Sequence, residues 1–515
     1  MANYQRIESG AEPGGVGRRY RVSSPVDLQP IGEFEAASRE AVRGAVERAR
    51  KAQRSWAEQS FAARAALMQR LIEVFVERQD EMIDCVVRET GKARAEALAM
   101  EVFAPCVTAA YYAKRAAEFL QPEQRTPAGL MRFAKKLTLI YKPLGVVGLI
   151  TPWNAPVVLA VNPLAQALMA GNAVVHKPSE VTPFSAMLIE EFTRDAGFPE
   201  HLYQVLQGDG QTGADLIEAG VDKISFTGSV ATGRKVGEAC GRNLIPATLE
   251  LGGKDAMIVC ADADLDRAAE GAVRGACWNS GHYCCSTERV YVPEPVYEPF
   301  VQKVVAHASA LRQSGEEPFD VGAVFWDRQM EIIESHMADA KARGAKVLVG
   351  GRRNPDLRGS YFEPTVLVDV NHEMQIMQRE TFGPIVAIQK VRDEDEALRL
   401  SNDSEYGLGG NIWTTDVERG LRLAAQMETG GVCINDMTMT YGIPEAPFGG
   451  VKSSGIGQVN GAQGIRGYCH AHPIVVDRKT RGPLQGGYPY TEKGSAGMRR
   501  LMHLLFRTRL GRLFT

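Results

Sequence analysis

The stretch Pro143–Val175, PLGVVGLITPWNAPVVLAVNPLAQALMAGNAVV, contains no Asp, Glu, Lys or Arg. Its length alone would suffice to cross a bilayer. Pro152, Asn154, Pro156, Asn162 and Pro163 interrupt it, so it reads instead as a buried strand, a loop, a buried helix and a second strand. The first strand, Val146–Ile150, is apolar without alternation, as expected of a strand covered on both faces. The second is Ala173–His176.

Downstream the pattern repeats. A helix over 181–196 leads to a strand Tyr203–Leu206, a helix over 211–219, a strand Lys223–Phe226 and a helix over 230–240. Strand–helix alternation of this kind implies a parallel sheet with crossover helices, an α/β fold. Met257–Val259 opens a second alternating block. Its helices fall near 264–279, 295–312 and 327–343, its strands near 345–348, 385–390, 410–414 and 431–435. Upstream, helical periodicity covers 36–58, 61–88 and 93–120, and Leu137–Tyr141 reads as a strand. There is no internal repeat or low-complexity segment.

The chain has 515 residues, too many for one ordinary core, so two or more lobes are expected. A composition of 44% hydrophobic and 23% charged residues is that of a soluble globular protein. The net charge of −3 gives no case for nucleic acid. Nine cysteines in a chain this long do not form a disulfide framework. Met1–Gly10 has no apolar core of a signal peptide, so a reducing, cytoplasmic setting is expected.

The C-terminal end differs in character. Residues 481–494 are rich in Gly, Pro and Tyr and read as a wrapping segment or linker. Residues 495–515 carry five arginines and no acid, with Met498, Leu501, Met502, Leu505 and Phe506 on one helical face. Two readings follow: a short helix docked on the protein or on a neighbouring subunit, which is preferred, or a membrane-surface helix.

Five segments are candidates for chemistry. Cys284 stands in Asn279-Ser280-Gly281-His282-Tyr283-Cys284-Cys285; a cysteine thiolate is the best side-chain nucleophile near neutral pH. Cys277, His282, Cys284 and Cys285 fit no common zinc spacing, so no metal is expected. Glu250, in Thr248-Leu249-Glu250-Leu251-Gly252-Gly253-Lys254, is an acid inside an apolar segment. It reads as an ion-paired carboxylate or as a general base with its pKa raised by desolvation. Asn154 follows a buried strand in Thr151-Pro152-Trp153-Asn154. It reads as a turn residue or as an oxyanion donor worth about 2.7–4 kcal/mol in a transition state. Two glycine-rich turns, Gly208-Asp209-Gly210-Gln211-Thr212-Gly213 and Phe226-Thr227-Gly228-Ser229-Val230-Ala231-Thr232-Gly233, compete for a pyrophosphate. The residues alone do not choose between them.

With Lys177-Pro178-Ser179-Glu180, Glu380-Thr381-Phe382-Gly383-Pro384 and Pro447-Phe448-Gly449-Gly450 added, the chain from about 20 to 480 resembles the aldehyde dehydrogenase superfamily. The resemblance implies Cys284 as nucleophile, Glu250 as general base, and Asn154 with the Cys284 backbone N–H as oxyanion donors. It implies cofactor contacts at Thr151, Pro152, Trp153, Lys177, Glu180, Gly228, Ser229, Gly233, Leu251, Glu380 and Phe382. The Gly208 turn is then a decoy. The implied fold is a doubly wound parallel-sheet cofactor domain (1–130 and 147–252), an α/β catalytic domain (253–450) and a small β oligomerisation extension (131–146 and 467–480). Residues 481–515 form a tail, and the assembly is a homodimer or homotetramer.

The implied reaction oxidises an aldehyde to a carboxylate with NAD, or NADP, through a thiohemiacetal and a thioester on Cys284. A CoA-acylating enzyme and a non-catalytic protein on the same fold are the alternatives. Glu180 would repel a 2′-phosphate, so NAD is expected over NADP. The sequence departs from the family at His282, Arg379, Ser286 and Val459, the last replacing a glutamate implicated in proton relay in some members. For the substrate, Trp278 and Tyr283 favour an apolar or aromatic aldehyde. The pattern around Gly91-Lys92-Ala93-Arg94 and the basic tail resembles bacterial succinate-semialdehyde enzymes. Both readings stand. Cys285, beside Cys284, reads as a packing residue rather than as a redox partner.

Overall fold

A computed structural model describes residues 7–10, 18–437, 439–482, 488–509 and 511. Part of the predicted 481–494 segment, Arg512 on the tail and the first residues of Met1–Gly10 lie outside them.

The opening stretch folds as read. Val146–Ile150 and Ala173–Lys177 are fully buried strands, and every residue of the helix between them, Val158–Ala170, is buried. Val146–Ile150 lies centrally in a six-stranded sheet. Ala173–Lys177 and Tyr203–Val205 extend it on one side, Lys223–Thr227 and Ala247–Glu250 on the other, all parallel. Gly455–Ile456 closes one edge antiparallel. Strand order therefore reverses between Val146–Ile150 and Lys223–Thr227, the point where open α/β sheets bind ligands.

The two glycine turns stand differently to that reversal. The Gly228 turn follows a strand at the reversal, whereas Gly208 follows the edge strand Tyr203–Val205. There Asp209 caps its own helix and accepts from Tyr20 Oη at 2.9 Å.

The N-terminal helices pack on this sheet through Val42, Trp56, Phe75, Val86 and Tyr112. Ser38 and Ser60 cap the first two, Arg39–Ala57 and Phe61–Glu77, by accepting backbone N–H groups. Helical periodicity over 61–88 is interrupted at Arg78, which binds Glu81, Glu191 and Asp195. The expected 93–120 helix contains a π-helical segment, Leu98–Phe103.

The second sheet has seven strands, in the order Lys346–Val349, Thr365–Val368, Ile385–Val391, Thr287–Pro293, Asp255–Val259, Gly410–Trp413 and Cys433–Ile434. Only the first pairs antiparallel. Apolar clusters cover both faces. Two of its strands, Thr287–Pro293 and Thr365–Val368, were not legible as strands. The first begins Thr-Glu-Arg, which reads as surface, yet Glu288 and Arg289 are buried and bonded.

Two antiparallel sheets complete the chain. One pairs Cys469–Asp477, Lys135–Pro143 and Glu123–Arg125; the other, Ile7–Gly10, Arg19–Ser23 and Pro30–Glu35, was not foreseen. The tail forms the helix Glu492–Arg507, with no buried residue and with Met498, Met502, Leu504 and Phe506 exposed. Of the two dockings expected, on its own chain or on a neighbouring subunit, the first is not seen among the described residues. Among the described residues no helix is long and apolar enough to cross a membrane.

Candidate active site

The helix Leu265–Cys277 ends against a turn in which Asn279, Ser280 and Gly281 all take positive φ. For the two non-glycine residues this costs on the order of 1–3 kcal/mol each. The surroundings hold it in place. Asn279 N donates to Glu96 at 2.8 Å, and Asn279 Nδ2 donates to the carbonyls of Asn154 at 2.9 Å and His282 at 2.7 Å. Gly281 is obligatory here, since a Cβ would lie 2.2 Å from the Gly383 carbonyl. The turn delivers Cys284 to a half-buried position, its Sγ 3.9 Å from Cys285 Sγ. Contact with Cys284, then burial, pushes the Cys285 thiol well above its usual range.

Glu250 closes the strand Ala247–Glu250 and is buried. Among the described residues neither carboxylate oxygen has a hydrogen-bond partner. Burial, with Cys284 nearby, raises its pKa well above the usual carboxylate range. Cys284 and Glu250 share one cavity, whose wall includes Leu159, Ser225, Tyr441, Phe448 and Val459. Water can occupy about 20 Å³ of it, room for roughly one molecule. A larger cavity of about 560 Å³ between the helices Gln79–Thr90 and Pro183–Asp195 holds no candidate residue.

Asn154 is buried beside the Cys284 turn, its Nδ2 donating to the His282 carbonyl at 3.1 Å. One of its two N–H groups remains for a ligand. Its backbone is fixed by Lys92, whose Nζ donates to Asn154 O at 3.2 Å while pairing with Glu101. Glu101, carried inward by the π-helical segment, accepts from Val157 N and Val158 N at 3.0 and 3.1 Å. It thereby caps the helix Val158–Ala170. The sequence reading assigned Lys92 and Glu101 no part.

The expected cofactor residues gather at the strand reversal. Thr151 follows Val146–Ile150, and Lys177 ends the neighbouring strand with Nζ 3.2 Å from Glu180. Gly228 N donates to the Glu250 carbonyl at 3.0 Å, and Ser229 caps the helix Val230–Asn243. At Gly233 a Cβ would lie 2.4 Å from Leu251, so glycine lets that helix start against the Glu250 strand. Glu380 accepts from Gly253 N at 3.0 Å, and burial raises its pKa to about 8, with Glu288 adding to the effect.

Glu288, which sequence reasoning missed, pairs with Lys254 and accepts from Thr381 N and Phe382 N at 2.7 and 2.8 Å. It fixes Phe382 at φ 53°. Trp153 packs edge-on to Phe382 and His282, with ring centres 5.6 and 5.1 Å apart. Pro152 precedes it in the same loop. A serine-capped helix start at the strand reversal, a lysine–glutamate pair at a strand end and a half-buried carboxyl held by Gly253 N fit a dinucleotide cofactor.

Comparison with known proteins agrees. The family model described as "Aldehyde dehydrogenase family" matches residues 13–474. The chain belongs to the aldehyde dehydrogenase family. A Mycolicibacterium smegmatis protein named for succinate-semialdehyde dehydrogenase [NADP(+)] is 39% identical over 452 residues, 87% of this chain and 86% of its own. The 4,4'-diapolycopene aldehyde oxidase of Methylomonas sp is 37% identical over 484 residues, 94% of this chain and 90% of its own. The crystal structure of a Mycobacterium tuberculosis aldehyde dehydrogenase complexed with NAD+ superimposes with a TM-score of 0.85 at 32% identity, covering 92% of this chain and 97% of that one. The protein is thus an NAD(P)-dependent aldehyde dehydrogenase with the family's fold.

Proposed function

We propose that this dehydrogenase is hydrolytic: it oxidises an aldehyde to a free carboxylate through a thioester on Cys284. One observation carries the reading. A buried carboxyl without a hydrogen-bond partner among the described residues, Glu250, shares with Cys284 a cavity of about 20 Å³, room for roughly one water.

The Cys284 thiolate adds to the aldehyde carbon, forming a thiohemiacetal. The unused Asn154 N–H and the Cys284 backbone N–H hold the oxyanion. NAD(P)+, where held by the residues named below, would supply the hydride acceptor; collapse of the oxyanion with loss of that hydride leaves an acyl group on the Cys284 sulfur. Glu250 then takes a proton from the cavity water, whose oxygen adds to the acyl carbon. The C–S bond breaks, the acid departs, and the thiolate returns. Trp153, Lys177, Glu180, Gly228, Ser229, Gly233, Leu251, Glu380 and Phe382 are the residues proposed to hold the cofactor, with Thr151 and Pro152 shaping its loop.

Transfer to CoA needs no water-activating base, so Glu250 disfavours the acylating alternative. Joint retention of Cys284, Glu250 and Asn154 disfavours a non-catalytic role. Val459 lines the Glu250 cavity and offers no proton acceptor, so the proton leaves by a route other than that residue.

The parts inferred from family resemblance, 1–130 with 147–252, 253–450, and 131–146 with 467–480, are retained as domains. Exposed Val475 and Val476 on the last of these support cover by a second copy, in a dimer or a pair of dimers. The nine cysteines are all unpaired, which supports a reducing, cytoplasmic compartment.

The test is NADH or NADPH formation at 340 nm by the purified protein over a panel of aldehydes. Cys284→Ala is expected to abolish it, and activity persisting in that variant would sink the mechanism.

A further inference from the structure

The names of the relatives point two ways, to a carboxylated semialdehyde and to a long apolar aldehyde. The walls leading to Cys284 bear on the choice. Met100, Ala104, Ala155, Val158 and Leu159 pack with Trp278, Tyr283 and Tyr441 in one apolar cluster. Tyr283 and Tyr441 continue into a second cluster with Phe448, Val459 and Cys284 itself. Apolar contacts therefore run without a break from the π-helical segment to Cys284, and Leu159 and Tyr441 among them line the cavity at the sulfur. Trp278 and Tyr283 lie stacked along it, ring centres 5.7 Å apart. The flanking residues are apolar and exposed: Phe103 at 67% beside Ala104, and Met439 and Ile443 either side of Tyr441.

The charges near this surface are unsuited to an anion. The cavity at Cys284 is lined by one ionisable carboxyl, Glu250, and by no Lys, Arg or His. Glu96, bonded to the backbone of Asn279, adds a second carboxyl close to Trp278. Lys92 is committed to Glu101 and the Asn154 carbonyl. Arg274 is exposed and lies over Trp278 at 5.6 Å. The Tyr441 hydroxyl accepts from Asn162 Nδ2 at 3.1 Å, leaving one neutral donor. Inside the Cys284 cavity a carboxylate loses hydration and gains no counter-charge from the lining; the exposed Arg274, over Trp278, is a cation it would meet only outside that cavity.

Resting on the hydrolytic reading above, we infer that the substrate is an extended apolar aldehyde, whose carbonyl enters the Cys284–Glu250 cavity while its hydrocarbon lies along Leu159, Trp278, Tyr283 and Tyr441. Succinate semialdehyde is a poor substrate.

The experiment measures kcat/KM for propanal, pentanal, octanal and succinate semialdehyde with the full-length enzyme. Each added methylene that reaches the wall is expected to raise kcat/KM about fourfold. Pentanal should exceed succinate semialdehyde by on the order of 100-fold. Leu159→Arg, which sets a cation on the wall, should lower octanal oxidation and raise the succinate semialdehyde to pentanal ratio at least about tenfold. A variant that does not fold is replaced by Trp278→Ala, expected to flatten the chain-length series. Rates flat with chain length in the unmodified enzyme, or succinate semialdehyde oxidised faster than pentanal, would overturn the inference and leave the hydrolytic mechanism standing. Oxidation of no aldehyde at all would remove that mechanism and this inference together.

Discussion

Glu250 and Glu288 are both buried glutamates on strands that meet at the site, and their surroundings treat them in opposite ways. Glu288 has a lysine partner and two backbone N–H groups, so both of its oxygens are satisfied. Glu250 has neither partner nor donor. A fully bonded buried carboxylate stabilises the ionised form and fixes the backbone around it. A bare one resists ionisation and keeps its lone pairs available. The first arrangement builds the wall that carries Phe382, and the second leaves a group able to take a proton from water.

The sharpest way to break this contrast is to replace both with glutamine. Glu250→Gln should lower steady-state turnover by roughly 10²- to 10⁴-fold while a single turnover of NADH still forms, because in the proposed mechanism hydride transfer precedes hydrolysis. Glu288→Gln should instead destabilise the fold by about 3–5 kcal/mol, since it leaves Lys254 buried without its counter-charge. The pH behaviour follows from the raised value at Glu250. Its base form grows as pH rises through that value, so the deacylation rate should climb with pH above the usual carboxylate range. Because the folded value lies above the ordinary 4.5, the unfolded chain ionises first, and the contribution to stability falls as pH rises past 4.5. In Glu250→Gln both trends should vanish. A burst-free Glu250→Gln enzyme, or a Glu288→Gln enzyme of unchanged melting temperature, would undo the distinction.

Asn154 extends the comparison to a residue that is both bonded and available. Asn154→Ala should cost about 2.7–4 kcal/mol in kcat/KM, with the melting temperature changed much less than in Glu288→Gln. Measuring both on the same protein separates the oxyanion role from support of the His282 carbonyl. If stability falls as far as activity, Asn154 belongs with Glu288 as a structural group.

The same contrast explains what could be read from the chain. Cys284, Glu250 and Asn154 are each flanked by small or rigid neighbours, Gly281, Gly252 and Pro152, and so leave a local signature. The strand Val146–Ile150 was legible because burial on both faces demands an unbroken apolar run. Lys92, Glu101, Lys254 and Glu288 leave none as pairs. A charged residue reads as surface until its partner is known, and Lys254 meets Glu288 only once the strands Asp255–Val259 and Thr287–Pro293 pair. The strand Thr287–Pro293 was hidden for that reason, its polar start being buried by pairing rather than by hydropathy.

The smallest expected effect concerns the cofactor. Glu180 lies 3.2 Å from Lys177 and is partly exposed, whereas Lys177 is nearly buried. A ribose with a free 2′-hydroxyl can donate to Glu180 without disturbing that pair. A 2′-phosphate would bring a second negative charge against the carboxylate and compete for the lysine. NAD+ is therefore expected to give the higher kcat/KM, although a relative is named for NADP(+). Glu180→Ser keeps a hydrogen-bonding group and frees Lys177 for phosphate. It should shift the NADP+ to NAD+ ratio upward by about tenfold, close to 1.4 kcal/mol. Unlike the glutamine variants, it should leave the pH limb and the burst untouched, because the role proposed for Glu180 is in cofactor binding alone. An unmodified enzyme preferring NADP+ by more than tenfold would mean that Lys177 already turns to the phosphate, and that its pairing with Glu180 gives way when the cofactor arrives.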